Sequence, residues 1–400
     1  MAAQETIDAN IYDLVYAEVA ALPGASTNVF TSLDGEDKSE WQTLVDKVIS
    51  KEYAEAALAA TGLGYELVNV KDTDGGKSLN LYMLRKLADS DNYWGTYIFN
   101  DKPARAQVVI QSPHAIKDRN TGVEGAYVFR EMGARAFFLT GTDRCNSLAS
   151  SSCSGTTSVC GYEEKYRISD VAHNTNGAFQ IVTELLNDAE SNYFIQLHGF
   201  DKTSSDPSAI LSLGGRTIVG SNKMPDIETN LKVEDNLLTF ENSTNNSWSK
   251  LLGFTNTQGR YINQGTDPCM SNAETANGRF IHIEQEYDRL RKDVDEWKKM
   301  ANALKATFPL SDGSITSVGI GEPKDINLYP NPIVNSLSIR NSMNSRLNLK
   351  IFTLSGEEVL NRSIEVGINN QSASALERGV YLYTVSDGQQ VVRSGKLVKQ

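Results

Sequence analysis

Histidine, cysteine and basic charge are scarce in this sequence, and long apolar runs are missing. The 400 residues include four histidines and four cysteines, and 38 Lys and Arg stand against 50 Asp and Glu, for a formal net charge of −12. An acidic chain is a poor partner for a nucleic-acid backbone. No apolar run approaches the length of a membrane-spanning helix. We therefore expect neither bound nucleic acid nor a transmembrane segment.

The four cysteines predict two disulfide bonds rather than a metal site. Cys145, Cys153 and Cys160 lie in a stretch rich in Ser, Gly and Thr, and Cys269 lies far downstream. Their spacings do not match the C-x₂-C pattern that is typical of zinc-binding cysteines. In an oxidising compartment the four would form two bridges, and the sequence leaves all three pairings open.

The hydrophobic pattern divides the chain into an α/β part and a β part. Helical patterns dominate residues 1–60, and strands then alternate with helices as far as residue 308. This alternation favours an α/β domain, residues 1–308, with a mixed sheet flanked by helices. Residues 309–325 are rich in Ser, Gly and Asp and predict a linker. The short strands and turns of residues 326–400 suit a small all-β, Ig-like sandwich.

The C-terminal β part carries a series of motifs in a fixed order. They are Leu328-Tyr329-Pro330-Asn331-Pro332, Leu337-Ser338-Ile339, Ile351-Phe352-Thr353-Leu354-Ser355-Gly356-Glu357-Glu358-Val359, Leu376-Glu377-Arg378-Gly379-Val380-Tyr381, and a basic ending with Lys396 and Lys399. This series resembles the type IX secretion sorting domain, and an unrelated Ig-like module is the alternative. The resemblance implies the type IX secretion machinery as a partner and a secreted or cell-surface location.

Type IX export also implies an N-terminal signal peptide, which this sequence does not show. Residues 1–10 are polar and acidic and have no apolar core of the kind that signal peptides carry. We expect that a signal peptide preceded this sequence and has been removed.

Two of the four histidines directly follow predicted buried strands. His114 and His198 are these two, and Asp118 follows the first by four residues. Because ligands of open α/β sheets bind at the carboxyl ends of the strands, we expect these side chains to lie together. Two imidazoles and one carboxylate form a catalytic zinc set with a fourth position open to water. Glu124 is the alternative carboxylate, but it lies within a predicted helix.

A general base is expected on the last strand of the α/β part. There His282 and Glu284 alternate with isoleucines and therefore share one face of the strand. A carboxylate beside the zinc would take a proton from the metal-bound water and pass it to the leaving amine. We predict Glu284 for this role. Glu286 is the competitor, but it begins a predicted helix, where an acidic residue is favoured in any case.

A further polar cluster lies at residues 169–173. Asp170 and His173 are candidate substrate-binding residues. The alternative is structural, because Ser169 or Asp170 could simply cap a helix.

The strand motifs also resemble a known group of hydrolases over about residues 105–305. A strand ending in Ser-Pro-His with an Asp soon after, a later strand ending in Leu-His-Gly, and a late Ile-Glu before an amphipathic helix resemble the zinc-carboxypeptidase-like amidohydrolases. Within that group the pattern is similar to the N-formylglutamate amidohydrolase and poly-γ-glutamate hydrolase branches. The resemblance implies a zinc-exopeptidase or phosphorylase/hydrolase-like fold, with His114, Asp118 and His198 as zinc ligands and Glu284 as base. The usual His-x-x-Glu ligand pair of carboxypeptidases is absent, and Asp118 takes its place.

The same resemblance implies an arginine that binds a substrate carboxylate or polarises the scissile carbonyl. Arg144 is the candidate, and Arg130, Arg135 and Arg216 are the alternatives.

Two functional hypotheses follow from the sequence. The first is a secreted zinc-dependent hydrolase of amide or peptide bonds, in which a glutamate activates the metal-bound water. Its substrates would be peptides, cell-wall peptide stems or γ-linked glutamyl chains. The second is a non-catalytic surface binding module, or degenerate enzyme, that type IX secretion exports. The two hypotheses differ in one structural expectation. The hydrolase requires His114, Asp118 and His198 to converge on one point, and the binding module does not.

Overall fold

The computed structural model divides the chain into two compact units, Met1–Gly313 and Ser314–Gln400. The structure describes residues 5–33, 35–73, 78–187, 192–311, 326–329, 333–341, 345–353, 357–387 and 391–399. The predicted linker at 309–325 lies almost entirely outside these residues. The linker therefore stays a prediction, and each unit is described by itself.

Helices and strands alternate through the first unit. Its helices are α1 (Ile11–Ala21), α2 (Gly35–Ile49), α3 (Tyr53–Gly62), α4 (Thr121–Met132), α5 (Ala178–Leu186), α6 (Met224–Glu234), α7 (Thr257–Ile262) and α8 (Val294–Thr307). Its strands are β1 (Thr6–Asp8), β2 (Tyr65–Asp72), β3 (Leu79–Lys86), β4 (Thr96–Asn100), β5 (Arg105–Ser112), β6 (Ala134–Leu139), β7 (Thr156–Thr157), β8 (Glu164–Lys165), β9 (Tyr193–Gly199), β10 (Ala209–Ser212), β11 (Phe240–Asn242) and β12 (Phe280–Gln285). Among the helices of the described ranges, none is both long and apolar enough to cross a membrane.

All of these strands except the β7–β8 hairpin join one mixed sheet. Its order is β1-β2-β3-β4-β6-β5-β9-β12-β10-β11. The central strands β6, β5, β9 and β12 run parallel. The pairs β2–β3, β3–β4, β4–β6 and β12–β10 are antiparallel, and the edge strands β1 and β11 pair parallel with β2 and β10. The carboxyl ends of β5, β9 and β12 therefore lie side by side at one edge.

Helices cover both faces of this sheet, as the strand pattern requires. Val108 and Ile110 of β5 point into a core shared with α1, α4, α6 and α8, and Val109 points into the opposite core with α2, α3, α5 and α7. Both faces of a central strand are apolar because both are buried. The predicted mixed sheet with flanking helices is confirmed.

On the face of α2, α3, α5 and α7, the apolar pattern stops before the strands end. Phe194 of β9 and Phe280 of β12 are core residues on that face. With the two-residue period of a strand, the next positions on the same face are polar. They are Gln196 and His198 on β9, and His282 and Glu284 on β12.

The long helix predicted after β12 is interrupted. Tyr287–Arg291 forms a π-helical turn, and α8 begins only at Val294. The Asp293 side chain caps α8 by accepting a hydrogen bond from Asp295 N at 3.1 Å. The Arg291 guanidinium donates to Gln285 O at the end of β12 and to Phe200 O just after β9, which fixes the turn ahead of the helix.

Two disulfides secure the long loop between β6 and α5. Cys145 is bonded to Cys160, and Cys153 is bonded to Cys269. The second bridge joins this loop to the segment that follows α7, and Ser154 N donates to Cys269 O beside it at 2.8 Å. The prediction of two disulfides is confirmed, and the structure decides the pairing that the sequence left open.

The second unit is a small antiparallel β sandwich. Its strands are β13 (Ile326–Tyr329), β14 (Ser336–Asn341), β15 (Leu347–Thr353), β16 (Glu358–Ile364), β17 (Gly367–Ser372), β18 (Gly379–Ser386) and β19 (Val391–Lys399). They form two sheets, β13-β14-β17 and β16-β15-β18-β19. Leu337 and Ile339 of the first sheet and Leu349, Ile351 and Leu397 of the second share one core, so the predicted all-β architecture is confirmed.

Removing the disulfides should destabilise the first unit to different extents. A cross-link restricts the unfolded chain more when it closes a longer loop. The bridges span 15 and 116 residues. We expect Cys145→Ser/Cys160→Ser to cost about 3 kcal/mol of unfolding free energy and Cys153→Ser/Cys269→Ser about 5 kcal/mol. Denaturant unfolding followed by tryptophan fluorescence measures both, because all four tryptophans belong to the first unit.

Thiol titration is the control for these variants. The native protein should show no reactive thiol before reduction and four after it. Four reactive thiols in the native, exported protein would contradict both bridges.

Candidate metal centre

The loop after β5 brings His114 and Asp118 together. Asp118 N donates to His114 O at 2.9 Å, which closes a single helical turn. Residues four apart on such a turn share one side. Asp118 Oδ2 consequently lies 3.4 Å from His114 Nδ1, with both side chains buried.

His198 arrives at the same carboxylate from the end of β9. Its Nδ1 lies 3.2 Å from Asp118 Oδ2, and Gly199 N donates to the same oxygen at 3.2 Å. Ligand atoms of a tetrahedral zinc site are about 3.3–3.6 Å apart, given bonds of about 2.0–2.2 Å. The two separations from Asp118 Oδ2, 3.4 Å and 3.2 Å, are close to that value. His114, Asp118 and His198 are named the ligand triad from here on.

Asp170 fixes which nitrogen of His114 faces the triad. Asp170 Oδ1 lies 2.9 Å from His114 Nε2. A carboxylate there accepts the Nε2 proton, so the Nδ1 lone pair faces Asp118. Arg144 Nη1 donates to that Nδ1 at 3.2 Å, and a bound metal ion would replace this hydrogen bond.

A chain of buried amides fixes His198 in the same way. Thr183 Oγ1 donates to Phe179 O at 2.8 Å and accepts from Gln111 Nε2 at 2.9 Å. Because Gln111 uses its amide nitrogen as the donor to Thr183, its Oε1 faces Gln196 and accepts from Gln196 Nε2 at 2.9 Å. The remaining Gln196 Oε1 accepts the His198 Nε2 proton at 3.0 Å, which leaves the Nδ1 lone pair toward Asp118.

Three electron-pair donors therefore converge, and the N–H groups that reach them, from Arg144 and Gly199, come from outside the set rather than from its own members. Such an arrangement is repulsive unless a cation or an added proton lies among the donor atoms. Burial lowers the pKa of His198 to about 4, which opposes protonation of its ring. Burial opposes ionisation of Asp118, but the two imidazoles hold its pKa below the usual range. A neutral imidazole beside an ionised carboxylate is the state that binds a divalent metal, and His198 with Asp118 provides it. Burial and Arg144 also oppose protonation of His114, but Asp170 and Asp118 outweigh them and raise the pKa of that ring, so a metal ion would compete with a proton there.

Asp170 and His173 lie in the polar network behind His114. The Asp170 carboxylate accepts from Arg144 Nε at 2.9 Å and contacts His173 Nδ1 at 2.9 Å. His173 Nε2 lies 3.2 Å from Thr255 Oγ1, and the Tyr166 ring stacks on the imidazole. Asp170 makes no helix-capping hydrogen bond. The predicted role of Asp170 and His173 in substrate binding stays a prediction.

Glu284 lies next to the triad on the neighbouring strand. It is opposite His198 in the parallel register of β9 and β12, and one of its oxygens lies within 4.8 Å of a ring nitrogen of that histidine. Its Oε2 is buried and has no hydrogen-bond partner among the residues that the structure describes. Burial, reinforced by the charge of Asp118, raises the pKa of Glu284 to about 8. The competitor Glu286 pairs with Lys202 Nζ at 3.0 Å instead.

The alternative carboxylate, Glu124, does not reach the triad. It lies in α4, and its Oε2 accepts from Gln285 Nε2 at 3.1 Å. Gln285 alternates with Glu284 on β12 and so belongs to the opposite face of the sheet. Burial raises the pKa of Glu124 to about 8. The geometry therefore favours Asp118 as the carboxylate ligand.

Of the four candidate arginines, Arg144 is the one that the structure places against the triad. Arg130 pairs with Asp72, with Nε 2.7 Å from Oδ2. Arg216 donates to three backbone carbonyls. Arg135 lies near the start of β6, at the sheet edge opposite the site.

His282 is a neighbour of the site that the sequence analysis did not select. Its ring centroid lies 4.3 Å from that of His198. Its place two residues before Glu284 on one strand was the available signal. The glutamines that orient His198 gave no such signal, because buried amides are equally common in structural networks.

Comparisons with known proteins identify the second unit. Residues 327–400 match the family model of the secretion system C-terminal sorting domain. This segment is a type IX secretion sorting domain. The protein is therefore a substrate of the type IX secretion machinery and lies at the cell surface or outside the cell. The resemblance of the C-terminal motifs to this domain is confirmed.

For the chain as a whole the comparisons are weaker. No curated protein matches it in sequence. A carboxypeptidase A-like protein from Shewanella denitrificans is 12% identical, with 64% of this chain and 68% of that chain covered and a TM-score of 0.28. A metallo-carboxypeptidase from Pseudomonas aeruginosa is 12% identical (64% and 67%, TM-score 0.25), and the LapA aminopeptidase of Legionella pneumophila is 8% identical (74% and 67%, TM-score 0.27). At these values none of the three decides what this chain does.

Neutralising Glu124 should stabilise the first unit at alkaline pH. Its folded-state pKa of about 8 lies above the ordinary 4.5, so the folded chain holds the proton more tightly and stability falls as pH rises between these values. Glutamine at this position cannot ionise, so Glu124→Gln removes the fall in stability with rising pH. Its amide also supplies an N–H for the unpartnered Gln285 Oε1. We expect the variant to gain about 1–3 kcal/mol over wild type at pH 9 and little at pH 5.

Tryptophan-monitored unfolding at the two pH values measures this difference. Glu36→Gln, at an exposed carboxylate of α2, is the matched control and should change stability equally at both. If the stability of Glu124→Gln relative to wild type does not increase from pH 5 to pH 9, the raised pKa of Glu124 is contradicted.

Deleting residues 326–400 should abolish export without unfolding the first unit. With the same signal peptide fused to both, full-length protein should appear outside the cell and the deleted protein should stay in the periplasm. Its tryptophan-monitored unfolding midpoint should match that of the full chain. Immunoblots of cell fractions measure export, and normal appearance of the deleted protein outside the cell would contradict the assignment. Fusing the same residues to an unrelated periplasmic protein is the complementary control.

Proposed function

We propose that the first unit is a zinc-dependent hydrolase of amide or peptide bonds. The observation that supports this most directly is the convergence of His114 Nδ1 and His198 Nδ1 on Asp118 Oδ2, with both Nε2 protons held by acceptors behind the rings. The donor set is that of a catalytic zinc site with three protein ligands and one open position. A bound zinc ion would supply Lewis-acid polarisation of a water molecule and of the scissile carbonyl.

Glu284 would serve as the general base. Its unpartnered Oε2 is available to take the proton of the attacking water. A carboxylate whose pKa is raised by burial is the stronger base, and it still passes the proton on to the leaving amine because the amine is more basic. One carboxylate can thus act first as base and then as acid.

Arg144 would bind the substrate oxygen that becomes negative. Its Nε is tied to Asp170, and its Nη1 already points at His114 Nδ1 beside the triad. A guanidinium held in this way stabilises an oxyanion with little reorganisation. The Asp170 contact therefore orients Arg144 and His114 at the same time.

Three substitutions should separate metal binding from base catalysis. His114→Ala and His198→Ala each remove a ligand, so zinc and activity should be lost together. Glu284→Gln preserves shape but cannot take a proton, so tight zinc should remain while turnover falls by roughly 10²–10⁴. Elemental analysis after dialysis measures zinc, and release of free amine from γ-glutamyl and α-peptide substrates measures turnover.

Chelation provides the matched control for the wild-type protein. Removing zinc should abolish activity, and adding it back should restore it. Wild-type protein that binds no zinc at neutral pH would reject the hydrolase and favour the non-catalytic surface module. Full activity in Glu284→Gln would reject this base alone.

A further inference from the structure

The side chains of the proposed centre come from two parts of the first unit that differ in their support. The ligand triad lies at the ends of β5 and β9, two central strands of the sheet. Arg144 and Asp170 lie instead in the long loop between β6 and α5, whose regular elements are the two-residue strands β7 and β8 and a 3₁₀ turn at Val171–His173. A loop of this length with so little regular structure needs other support to keep one conformation.

The first disulfide lies directly beside Arg144. Cys145 is the next residue in the chain, and its partner is Cys160. The returning half of the loop holds the same stretch of backbone, because Ser169 Oγ donates to Arg144 O at 2.9 Å. Arg167 Nη1 donates to the neighbouring Cys145 O at 2.8 Å. The bridge therefore supports the segment from which Arg144 reaches the triad.

The second disulfide lies beside His173. Cys153 is bonded to Cys269. Two residues before Cys153, Ser151 Oγ donates to His173 O at 2.7 Å. The His173 ring in turn places its Nδ1 2.9 Å from Asp170 Oδ1. Each bridge thus lies next to one of the basic residues that contact Asp170.

The contacts of Asp170 require both segments to be in place at once. Its Oδ1 lies 2.9 Å from His114 Nε2 and 2.9 Å from His173 Nδ1, and its Oδ2 accepts from Arg144 Nε at 2.9 Å. Fixing the backbone of one residue costs about 1–2 kcal/mol of conformational free energy. A cross-link lowers this cost, because it already restricts the unfolded chain. Without the bridges we expect the loop to open while the packed strands stay folded.

We propose that formation of the two disulfides switches the ligand triad to its full metal affinity. In the oxidised chain the loop holds Asp170 against His114, which keeps the Nδ1 lone pair of that ring directed at the metal position. In the reduced chain the loop opens and this contact is lost. Because cytoplasmic thiols stay reduced, the chain binds zinc tightly only after it has left the cytoplasm. This inference rests on the zinc centre of the proposed function and adds its regulation.

The oxidant is a disulfide of the oxidising compartment, which acts by thiol–disulfide exchange. One cysteine thiolate attacks the oxidant disulfide and releases a thiolate, and the second cysteine then displaces the other half from the mixed disulfide. The cysteine pair loses two electrons and two protons, and the oxidant becomes two thiols. Cys160 and Cys269 are the half-buried members of the two pairs, whereas Cys145 and Cys153 are buried. Each pair therefore has one residue that an oxidant can reach.

The zinc affinity of a chain without cysteine tests the switch. In this chain, named the bridge-free variant from here on, all four cysteines are replaced by serine (C145S, C153S, C160S and C269S). Serine is preferable to a reductant, because free thiolates would bind zinc themselves. Loss of the hydrogen bond behind a metal-ligating histidine lowers metal affinity by about 10–100-fold, and we expect this loss in the bridge-free variant. Competition with a chromophoric zinc chelator, on full-length folded protein without a histidine tag, measures it.

Asp170→Ala tests whether the bridges act through Asp170. With the bridges present, the substitution should lower zinc affinity by about 10–100-fold. In the bridge-free variant it should have little further effect, because the contact is already lost. An equal loss in both backgrounds would show that the bridges do not act through Asp170 and would overturn the proposal.

Leu231→Ala is the control for lowered stability alone. Leu231 is a buried residue of α6, and its truncation should cost about 2–5 kcal/mol of unfolding free energy while both bridges remain. This variant should bind zinc as tightly as the wild type. If the bridge-free variant does not fold, C145S/C160S removes the less stabilising bridge and carries the same comparison.

Amide hydrogen exchange provides a measurement that needs neither zinc nor substrate. The amides of Ser151 and Ile168 are hydrogen-bonded across the loop to Tyr166 O and Ala149 O. Exchange in residues 143–173 should be faster in the bridge-free variant and in reduced wild type, with residues 193–199 of β9 unchanged. Oxidised glutathione should restore slow exchange to the wild type and not to the bridge-free variant.

The outcomes separate the switch from the proposed function. Tight zinc in the wild type with equal affinity in the folded bridge-free variant, or exchange in the loop that reduction leaves unchanged, would overturn the switch and leave the hydrolase standing. Absence of tight zinc from the oxidised wild type would overturn the hydrolase and the switch together.

Discussion

The hydrogen bonds behind the two histidine rings control the rest of the site. Asp170 holds the Nε2 proton of His114, and Gln196 holds that of His198. Each contact fixes one tautomer, and together they direct two lone pairs at one carboxylate oxygen. If either acceptor turned away, the ring could rotate or exchange tautomers and the set of three donors would be lost.

These acceptors are themselves fixed by buried structure. The amide chain behind His198 ends on a backbone carbonyl of α5, which gives every hydrogen bond along it one direction. Asp170 lies in the loop that the two disulfides secure and that also carries Arg144. For the proposed hydrolase this rigid support matters, because a small displacement of a catalytic group lowers the rate greatly. The oxidised state of the loop and the geometry of the site are thus linked.

The two units divide export from chemistry. The sorting domain is a β sandwich with its own core, whereas every residue of the proposed centre belongs to the first unit. The disulfides agree with this location, because such bonds persist in oxidising compartments outside the cytoplasm.

The sequence by itself determined the periodic and local features. Alternation of apolar residues predicted the sheet and its buried strands, the motif series predicted the sorting domain, and the positions of His114 and His198 after two strands predicted that they would meet. These features follow from strand geometry or from residues close in the chain, so a linear pattern contains them. The turn that places Asp118 beside His114 is also a local feature, because the two residues are only four apart in the chain.

The tertiary structure decided what depends on contacts between distant residues. The sequence left open the disulfide pairing, which the fold decides. It preferred Asp118 to Glu124 and Arg144 to three other arginines, and the contacts of the fold favour the same residues without testing their roles. It gave no sign that Gln111 and Gln196 orient His198, or that the helix after β12 is interrupted. Each of these depends on which side chains share a buried space and must satisfy one another's hydrogen bonds. That requirement is set by the packed fold, and residue spacing does not encode it.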